Sequence, residues 1–261
     1  MESSGRLAGK TTVVIGGAGL IGSSFANRIL EEGGEVILAD RDMERGRLLA
    51  QQLSAKHPHK KVEFLSVDSC NCESVCELIV AAQSVTGQID ALVNAGYPRG
   101  PRYGARFEQV TYDDFCTNVS MQIGSSFVTS QQFALFFKQR GHGNIVNISS
   151  IYGVVSPRFE VYGSLSMTMP VEYAVVKSGL LHLNRYLARY FAGSGIRFNC
   201  ISPGGILDGQ PQEFLDRYNA YGLSKGMLDA QDLGGALIFL LSDDSRYVNG
   251  QNLIVDDGWT V

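Results

Sequence analysis

Short apolar segments alternate with amphipathic segments along this 261-residue chain, and this alternation restricts the fold more than any other feature. Strands that alternate with helices in this way form a parallel sheet with helices on both of its faces. No linker-like or repetitive stretch interrupts the pattern, so we expect residues 1–261 to form one α/β domain with a doubly wound sheet. The predicted strands are 11–15, 36–39, 62–67, 91–93, 145–148, 197–201 and 253–255. The predicted helices are 21–32, 43–55, 73–85, 112–138, 171–191 and 232–241.

Charge and composition argue against several classes of partner. The chain carries 22 Lys and Arg against 26 Asp and Glu, a net charge of −4, which disfavours nucleic acid. Its apolar runs, such as 236–241, are too short to span a bilayer. The first five residues lack the basic and apolar parts of a signal peptide. We therefore expect a cytoplasmic protein that binds neither nucleic acid nor membranes.

Three cysteines lie close together at Cys70, Cys72 and Cys76, among five in the chain. No second Cys or His pair follows at the spacing of a zinc site, and Cys72 and Cys76 fit one face of a helix. We expect reduced thiols here and no bound metal.

Three segments depart from the alternation: 97–107, 156–170 and 204–226. Each follows a predicted strand. In an open parallel sheet, ligands bind in the crevice at the carboxyl ends of the strands. These three segments are therefore predicted to converge on one ligand site.

A glycine-rich turn, Gly16, Gly19 and Gly22, joins the first predicted strand to the first predicted helix. Glycines allow a tight turn and a close approach to pyrophosphate, which the free amides of the helix N-terminus bind. Asp40 ends the second strand, where a carboxylate accepts hydrogen bonds from both ribose hydroxyls and repels a 2′-phosphate. This pattern favours NAD, although the neighbouring Arg41 leaves NADP open.

Tyr173 and Lys177 lie four residues apart in a predicted helix and therefore share one face. A free phenol has a pKa of about 10, so it acts as a base near neutral pH only where positive charge stabilises the phenolate. An ammonium about 4 Å away supplies ~4 kcal/mol at an effective dielectric constant of about 20. A hydroxyl from the pair Ser149 and Ser150, 23 residues before Tyr173, is suited to hold a substrate oxygen.

These motifs belong to a longer series in a defined order. It includes Val67-Asp68, Asn94-Ala95-Gly96, Asn118, Asn147-Ile148-Ser149-Ser150 and Pro203-Gly204. Over essentially the full chain, this series resembles the short-chain dehydrogenase/reductase family. The resemblance implies a Rossmann-type sheet, a nicotinamide cofactor and an alcohol dehydrogenase or ketone reductase.

The resemblance also implies the roles of individual residues. Ser150 matches the catalytic serine better than Ser149, because Ile-Tyr-Gly follows it. Asn118 is implied to anchor a proton-relay water through its helix backbone. The implied catalytic residues are Asn118, Ser150, Tyr173 and Lys177. The implied cofactor-binding residues are Gly16, Gly19, Leu20, Ile21, Gly22, Asp40, Arg41, Asp68, Ser69, Asn94, Ala95, Gly96, Tyr173, Lys177, Pro203, Gly204 and Ile206.

The chain departs from the usual family pattern at the glycine turn and after Pro203-Gly204. Ile15 stands where Thr is usual, Leu20 stands where Gly is usual, and the usual Thr after Pro203-Gly204 is replaced around Leu207-Asp208. The glycine spacing is similar to that of the extended, sugar-nucleotide-processing branch. This similarity leaves open an epimerase or dehydratase that returns the hydride. A catalytically silent NAD-binding sensor is a third reading.

The stretch between Ser150 and Tyr173 is about ten residues longer than the family usually has, through an insertion at 158–170. Together with its flanking residues, this insertion resembles the flagellin-modification protein A group, which is associated with nonulosonic (legionaminic-type) sugars. The resemblance implies a polyhydroxylated, anionic sugar or sugar-nucleotide substrate. Guanidinium groups bind carboxylate or phosphate, and aromatic rings stack on sugar faces. The candidate substrate contacts are Arg99, Arg102, Arg158 and Tyr162.

The long predicted helices 112–138 and 171–191 carry more apolar surface than one sheet face needs. In the family such helices form subunit interfaces, so the resemblance implies a homodimer or homotetramer.

Overall fold

A seven-stranded parallel sheet forms the centre of the protein in a computed structural model that describes residues 5–261. The strand order is β3-β2-β1-β4-β5-β6-β7, so the predicted doubly wound sheet is confirmed. Residues 1–4, which bear on the signal-peptide prediction, lie outside the described residues. The strands are β1 (Thr11–Ile15), β2 (Glu35–Asp40), β3 (Val62–Ser66), β4 (Ala91–Asn94), β5 (Gly143–Ile148), β6 (Ile196–Pro203) and β7 (Asn252–Val255).

Seven α-helices are found in residues 5–261, and they pack on both faces of the sheet. They are α1 (Leu20–Glu31), α2 (Met43–Lys56), α3 (Cys72–Thr86), α4 (Tyr112–Arg140), α5 (Val171–Tyr190), α6 (Gln212–Asn219) and α7 (Gly234–Leu241). Several helix ends have clear local causes: the Asn71 side chain accepts from two amides at the start of α3, and left-handed Gly141 ends α4. The helix α6 was not predicted, because it has only eight residues inside the irregular segment 204–226.

Alternate residues of the strands belong to two separate apolar clusters. Val14 packs with the cluster that includes α1, α2 and α7, whereas Val13 and Ile15 pack with the cluster that includes α3, α4 and α5. All five residues of β1 are buried, as expected for a strand with helices on both sides. No helix within residues 5–261 has both the length and the apolar character needed to cross a membrane.

The order of the strands reverses between β1 and β4, which are neighbours in the sheet. From β1 the chain continues outward to β2 and β3, and from β4 it continues outward to β5 in the opposite direction. The carboxyl ends of β1 and β4 therefore border a crevice at the switch point, where ligands bind in folds of this type.

Candidate active site

A cleft of about 1120 Å³ lies at this switch point. Residues from the glycine-rich turn line one end. All three irregular segments of the sequence reach the cleft, through residues such as Arg99, Met167 and Gly205. Its volume is slightly above the usual range for small-molecule sites, about 300–1,000 Å³, which suits a dinucleotide together with a small substrate.

In the glycine-rich turn, the backbone of one residue lies close to the backbone of others. Gly16 has a φ of 74°, and a Cβ there would lie 2.6 Å from the Ala95 carbonyl oxygen. A Cβ at Gly22 would lie 2.1 Å from the Gly16 carbonyl oxygen. Gly19 caps α1 and has no side chain, so no capping side chain accepts from the first amides of this helix, whose residues line the cleft. This geometry suits a phosphate group.

Asp40 is held rigidly at the end of β2. Its Oδ2 accepts from the Ala18 amide at 3.1 Å, and its Oδ1 accepts from the Asp42 amide at 3.2 Å. The carboxylate borders the cleft, as does the neighbouring Arg41. The cleft thus has one negative and one positive side chain at the end of β2.

Asp68 and Ser69 line the same end of the cleft, beyond β3. The Asp68 carboxylate accepts from the Cys70 amide at 2.9 Å, and the Asp68 amide donates to Ser74 Oγ at 3.0 Å. These bonds hold the loop before α3 in place. Ala95 and Gly96 lie opposite this loop, and Pro203, Gly204 and Ile206 follow from β6.

Asn94 is placed differently from the other candidate cofactor residues, because its side chain is buried behind the cleft. Its amide nitrogen donates to Thr129 Oγ1 at 3.1 Å and to Asn147 Oδ1 at 3.2 Å. Asn147 in turn donates to Asn184 Oδ1 at 3.4 Å. The side-chain oxygen of Asn94, Oδ1, also accepts a hydrogen bond from the Gly96 amide at 3.3 Å. Asn94 thus supports the wall of the cleft without lining it.

Ser150, Tyr173 and Lys177 meet in the middle of the cleft. The Ser150 side chain lies close enough to the Tyr173 phenol to act on its pKa. The Lys177 ammonium donates to the Ile148 carbonyl at 2.8 Å and lies 5.4 Å from the centre of the Tyr173 ring. Ser149 has a different task, because its hydroxyl donates to the Lys177 carbonyl at 2.9 Å. Of the two serines, Ser150 therefore faces the tyrosine.

The acidities of these groups are governed by burial. Burial raises the pKa of the Tyr173 phenol above its ordinary value, and the nearby Ser150 side chain acts in the opposite direction. Burial lowers the pKa of Lys177 to about 8. Burial outweighs the effect of Ser150, so the pKa of Tyr173 is raised in this structure, and its lowering by Lys177 stays a prediction.

Asn118 lies in the first part of α4 and is fully buried. Its Oδ1 accepts from the Gly100 amide at 2.9 Å. Its Nδ2 donates to the Asp114 carbonyl at 3.0 Å and to Glu172 Oε1 at 3.1 Å. The side chain therefore joins α4, α5 and the segment after β4, and it does not reach the cleft.

The four candidate substrate residues separate into two pairs. Arg99 and Tyr162 line the cleft. Arg102 instead pairs with Asp114 at 3.2 Å. Arg158 stacks on Tyr221 and Trp259, with its guanidinium carbon 4.4 and 5.0 Å from the ring centres. The structure therefore brings Arg99 and Tyr162 to the site. Arg158 instead joins the insertion at 158–170 to Tyr221 and Trp259.

An aromatic wall, formed by Tyr152, Tyr162, Phe214 and Tyr218, encloses the substrate end of the cleft. Tyr152, Phe214 and Tyr218 were not predicted from the sequence to line the site. The spacing of Phe214 and Tyr218, four residues apart, was the available signal for an amphipathic helix in that segment.

Tyr97 was also missed as a site residue. Its ring meets that of Tyr173 edge-on, with centres 5.6 Å apart, and the Lys177 ammonium lies 5.4 Å from its centre. The Arg99 guanidinium lies 5.3 Å from the centre on the same ring. Its place directly after Asn94-Ala95-Gly96, at the end of a strand, was the signal for it.

Comparison with known proteins identifies the family. A family profile described as enoyl-(acyl carrier protein) reductase matches residues 17–260. Post-translational flagellin modification protein A of Campylobacter coli is 39% identical over 254 residues, which cover 97% of this chain and 99% of that protein. The 7alpha-hydroxysteroid dehydrogenase of Bacteroides fragilis is 30% identical over 262 residues, which cover 98% of this chain and 96% of that protein.

A solved structure agrees with these relatives. A short-chain dehydrogenase from Leptospira borgpetersenii with bound NAD+ is 32% identical and superposes with a TM-score of 0.84, covering 98% of this chain and 94% of that one. The family predicted from the sequence motifs is thereby confirmed: the protein belongs to the short-chain dehydrogenase/reductase family of oxidoreductases.

Proposed function

We propose that the protein is an NAD-dependent oxidoreductase that interconverts a secondary alcohol and a ketone on a polyhydroxylated, anionic sugar or sugar-nucleotide of the nonulosonate type. The observation that carries the proposal is the meeting of Ser150, Tyr173 and Lys177 in the cleft beside the glycine-rich turn. The relative from Campylobacter coli, named for flagellin modification, supports a sugar-related substrate.

The choice of NAD follows from Asp40. Its two anchoring hydrogen bonds prevent the carboxylate from turning away, so a 2′-phosphate would meet a fixed negative charge. The ribose hydroxyls of NAD, in contrast, find an acceptor there. The NAD+ in the Leptospira borgpetersenii relative supports the same choice.

The protein's own groups move the proton. Bound nicotinamide supplies or accepts the hydride. Ser150 holds the substrate oxygen, and the Tyr173 phenol gives its proton to that oxygen in reduction or takes it in oxidation. The raised pKa of Tyr173 favours the neutral phenol as proton donor. Lys177, whose ammonium is fixed by the Ile148 carbonyl, stabilises the phenolate that results. Asn118 holds the neighbouring segment in place.

The substrate end of the cleft suits a sugar with one negative group. Its aromatic wall offers faces and phenol hydroxyls to a sugar ring. Of the arginines after β4, Arg102 is paired with Asp114 and Arg106 donates to the Leu165 carbonyl. Arg99 borders the cleft and stacks on Tyr97, with its guanidinium directed to no acceptor within residues 5–261. We therefore assign it to the substrate anion.

The proposal also covers the oligomeric state of the protein and its cellular compartment. The helices α4 and α5 expose large apolar side chains, namely Phe127, Leu135, Val175, Tyr186 and Tyr190. A second copy of the chain is the proposed cover, in a homodimer or homotetramer. All five cysteines are free and four are exposed, in keeping with a reducing compartment such as the cytoplasm.

A screen of free and nucleotide-linked sugars tests the function. Each compound is incubated with NAD or NADH, and the absorbance of reduced nicotinamide is followed. We expect a net change in the amount of NADH with an anionic, polyhydroxylated compound. The runner-up, an epimerase or dehydratase supported by the glycine spacing, predicts a changed sugar without net NADH. Tight NADH binding without turnover of any compound would instead indicate a silent sensor and contradict the proposal.

A further inference from the structure

Glu172, the residue before Tyr173, is a buried carboxylate that the proposed reaction does not use. It is 1% exposed and lies in the first turn of α5. One oxygen accepts from Asn118 Nδ2 at 3.1 Å. The other, Oε2, is buried without a hydrogen-bond partner within residues 5–261. An incompletely paired buried carboxylate lowers stability, so its presence calls for a reason other than stability.

The contacts of Asn118 supply that reason. Its two amide hydrogens are taken by Glu172 and by the Asp114 carbonyl. The remaining group, Oδ1, is therefore directed to the Gly100 amide, from which it accepts at 2.9 Å. A Cβ at Gly100 would lie only 3.1 Å from this oxygen, so the approach is close. A chain of hydrogen bonds thus runs from the start of α5, through α4, to the segment after β4.

That segment, residues 97–103, carries two side chains of the site. Tyr97 contacts the Tyr173 ring and the Lys177 ammonium, and Arg99 stacks on Tyr97. The hydroxyl groups of Tyr103 and Tyr97 are hydrogen-bonded to each other. A shift of the backbone at Gly100 would therefore move the aromatic ring beside Tyr173 and the guanidinium at the cleft together.

We propose that Glu172 is a positioning residue, which orients the Asn118 amide and through Gly100 holds Tyr97 and Arg99 against the active-site tyrosine and lysine. The partly exposed ion pair of Arg102 and Asp114 adds a second, weaker contact between the same segment and α4. The structural part of this proposal stands apart from the proposed function, and only its effect on turnover rests on that function.

Hydrogen exchange measured by mass spectrometry tests the positioning role without any substrate. Glu172→Met keeps the length of the side chain but removes both the acceptor and the buried charge. We expect the amides of residues 97–103 to exchange about threefold faster, because Asn118 loses one hydrogen bond while the Asp114 carbonyl still holds it. The melting temperature should not fall. Glu172→Gln keeps an acceptor oxygen and should exchange like the parent protein, as should Glu77→Met on the exposed side of α3.

Three results would overturn the proposal. Unchanged exchange in Glu172→Met would show that the segment does not depend on Glu172. Faster exchange throughout the protein with a lower melting temperature would make Glu172 a residue of general stability. Equally fast exchange of residues 97–103 in Glu172→Gln would show that the acceptor oxygen of Glu172 does not hold the segment. Once the sugar screen yields a substrate, Glu172→Met should raise KM more than it lowers kcat and leave NADH affinity unchanged. A failed screen would contradict the proposed function but leave the exchange result standing.

Discussion

Replacing Asp40 by Asn is expected to move the cofactor preference from NAD toward NADP by about a hundredfold. A phosphate charge about 4 Å from the carboxylate is repelled by ~4 kcal/mol at an effective dielectric constant of about 20. Because Asp40 is partly exposed, solvent screening reduces this to ~2 kcal/mol, or about 30-fold in NADPH affinity. Loss of the charged acceptor weakens the ribose hydrogen bonds by ~1 kcal/mol, or about fivefold in NADH affinity.

Titration of nicotinamide fluorescence with NADH and NADPH measures both affinities without a substrate. Low ionic strength is required, since salt screens the phosphate charge. Asp113→Asn, an exposed carboxylate at the start of α4, is the matched control and should change neither affinity. A change of less than about threefold in the ratio of the two affinities would refute the reasoning that Asp40 faces the ribose.

Three further predictions concern stability, cofactor binding and substrate binding. Burial lowers the pKa of Lys177 to about 8, so its charge costs stability below pH 8, and this cost disappears as the pH rises towards the unfolded value of about 10.5. Lys177→Met should therefore raise the melting temperature at pH 7, with a smaller gain at higher pH and no turnover; a lower melting temperature at pH 7 would be contrary evidence. Gly22→Ala places a Cβ 2.1 Å from the Gly16 carbonyl oxygen and should abolish NADH binding in the fluorescence titration; unaltered affinity would contradict the turn geometry. Arg99→Ala should raise the KM for an anionic substrate at least about tenfold, whereas Arg102→Ala should change it less than about threefold; equal effects in steady-state kinetics would contradict the assignment.

The sheet and the nucleotide end of the cleft were predictable because their signals are local. Each strand and its following helix lie together in the chain, and the steric demand at Gly16 and Gly22 arises within one turn. Asp40 could be placed for the same reason, since it ends β2. The existence of all seven strands and of six helices was confirmed, with ends that moved by a few residues.

The substrate end was less predictable because its contacts join distant parts of the chain. Arg99 and Arg102 look equivalent in the sequence, and only the position of Asp114 separates them. The raised pKa of Tyr173 depends on burial by elements far from α5, which a spacing of four residues to Lys177 does not reveal. The hydrogen bond from Asn118 to Glu172 likewise required the packing of α4 on α5.

The most direct test of the central claim is the turnover of Tyr173→Phe. This change removes the phenol hydroxyl and leaves the ring that packs against Tyr97. We expect turnover of the substrate found in the screen to fall by at least about a hundredfold, as for loss of a general acid-base group, while NADH affinity stays near that of the parent. Tyr247→Phe, at an exposed position, is the control and should retain full activity. Parent-like turnover in Tyr173→Phe would contradict the account.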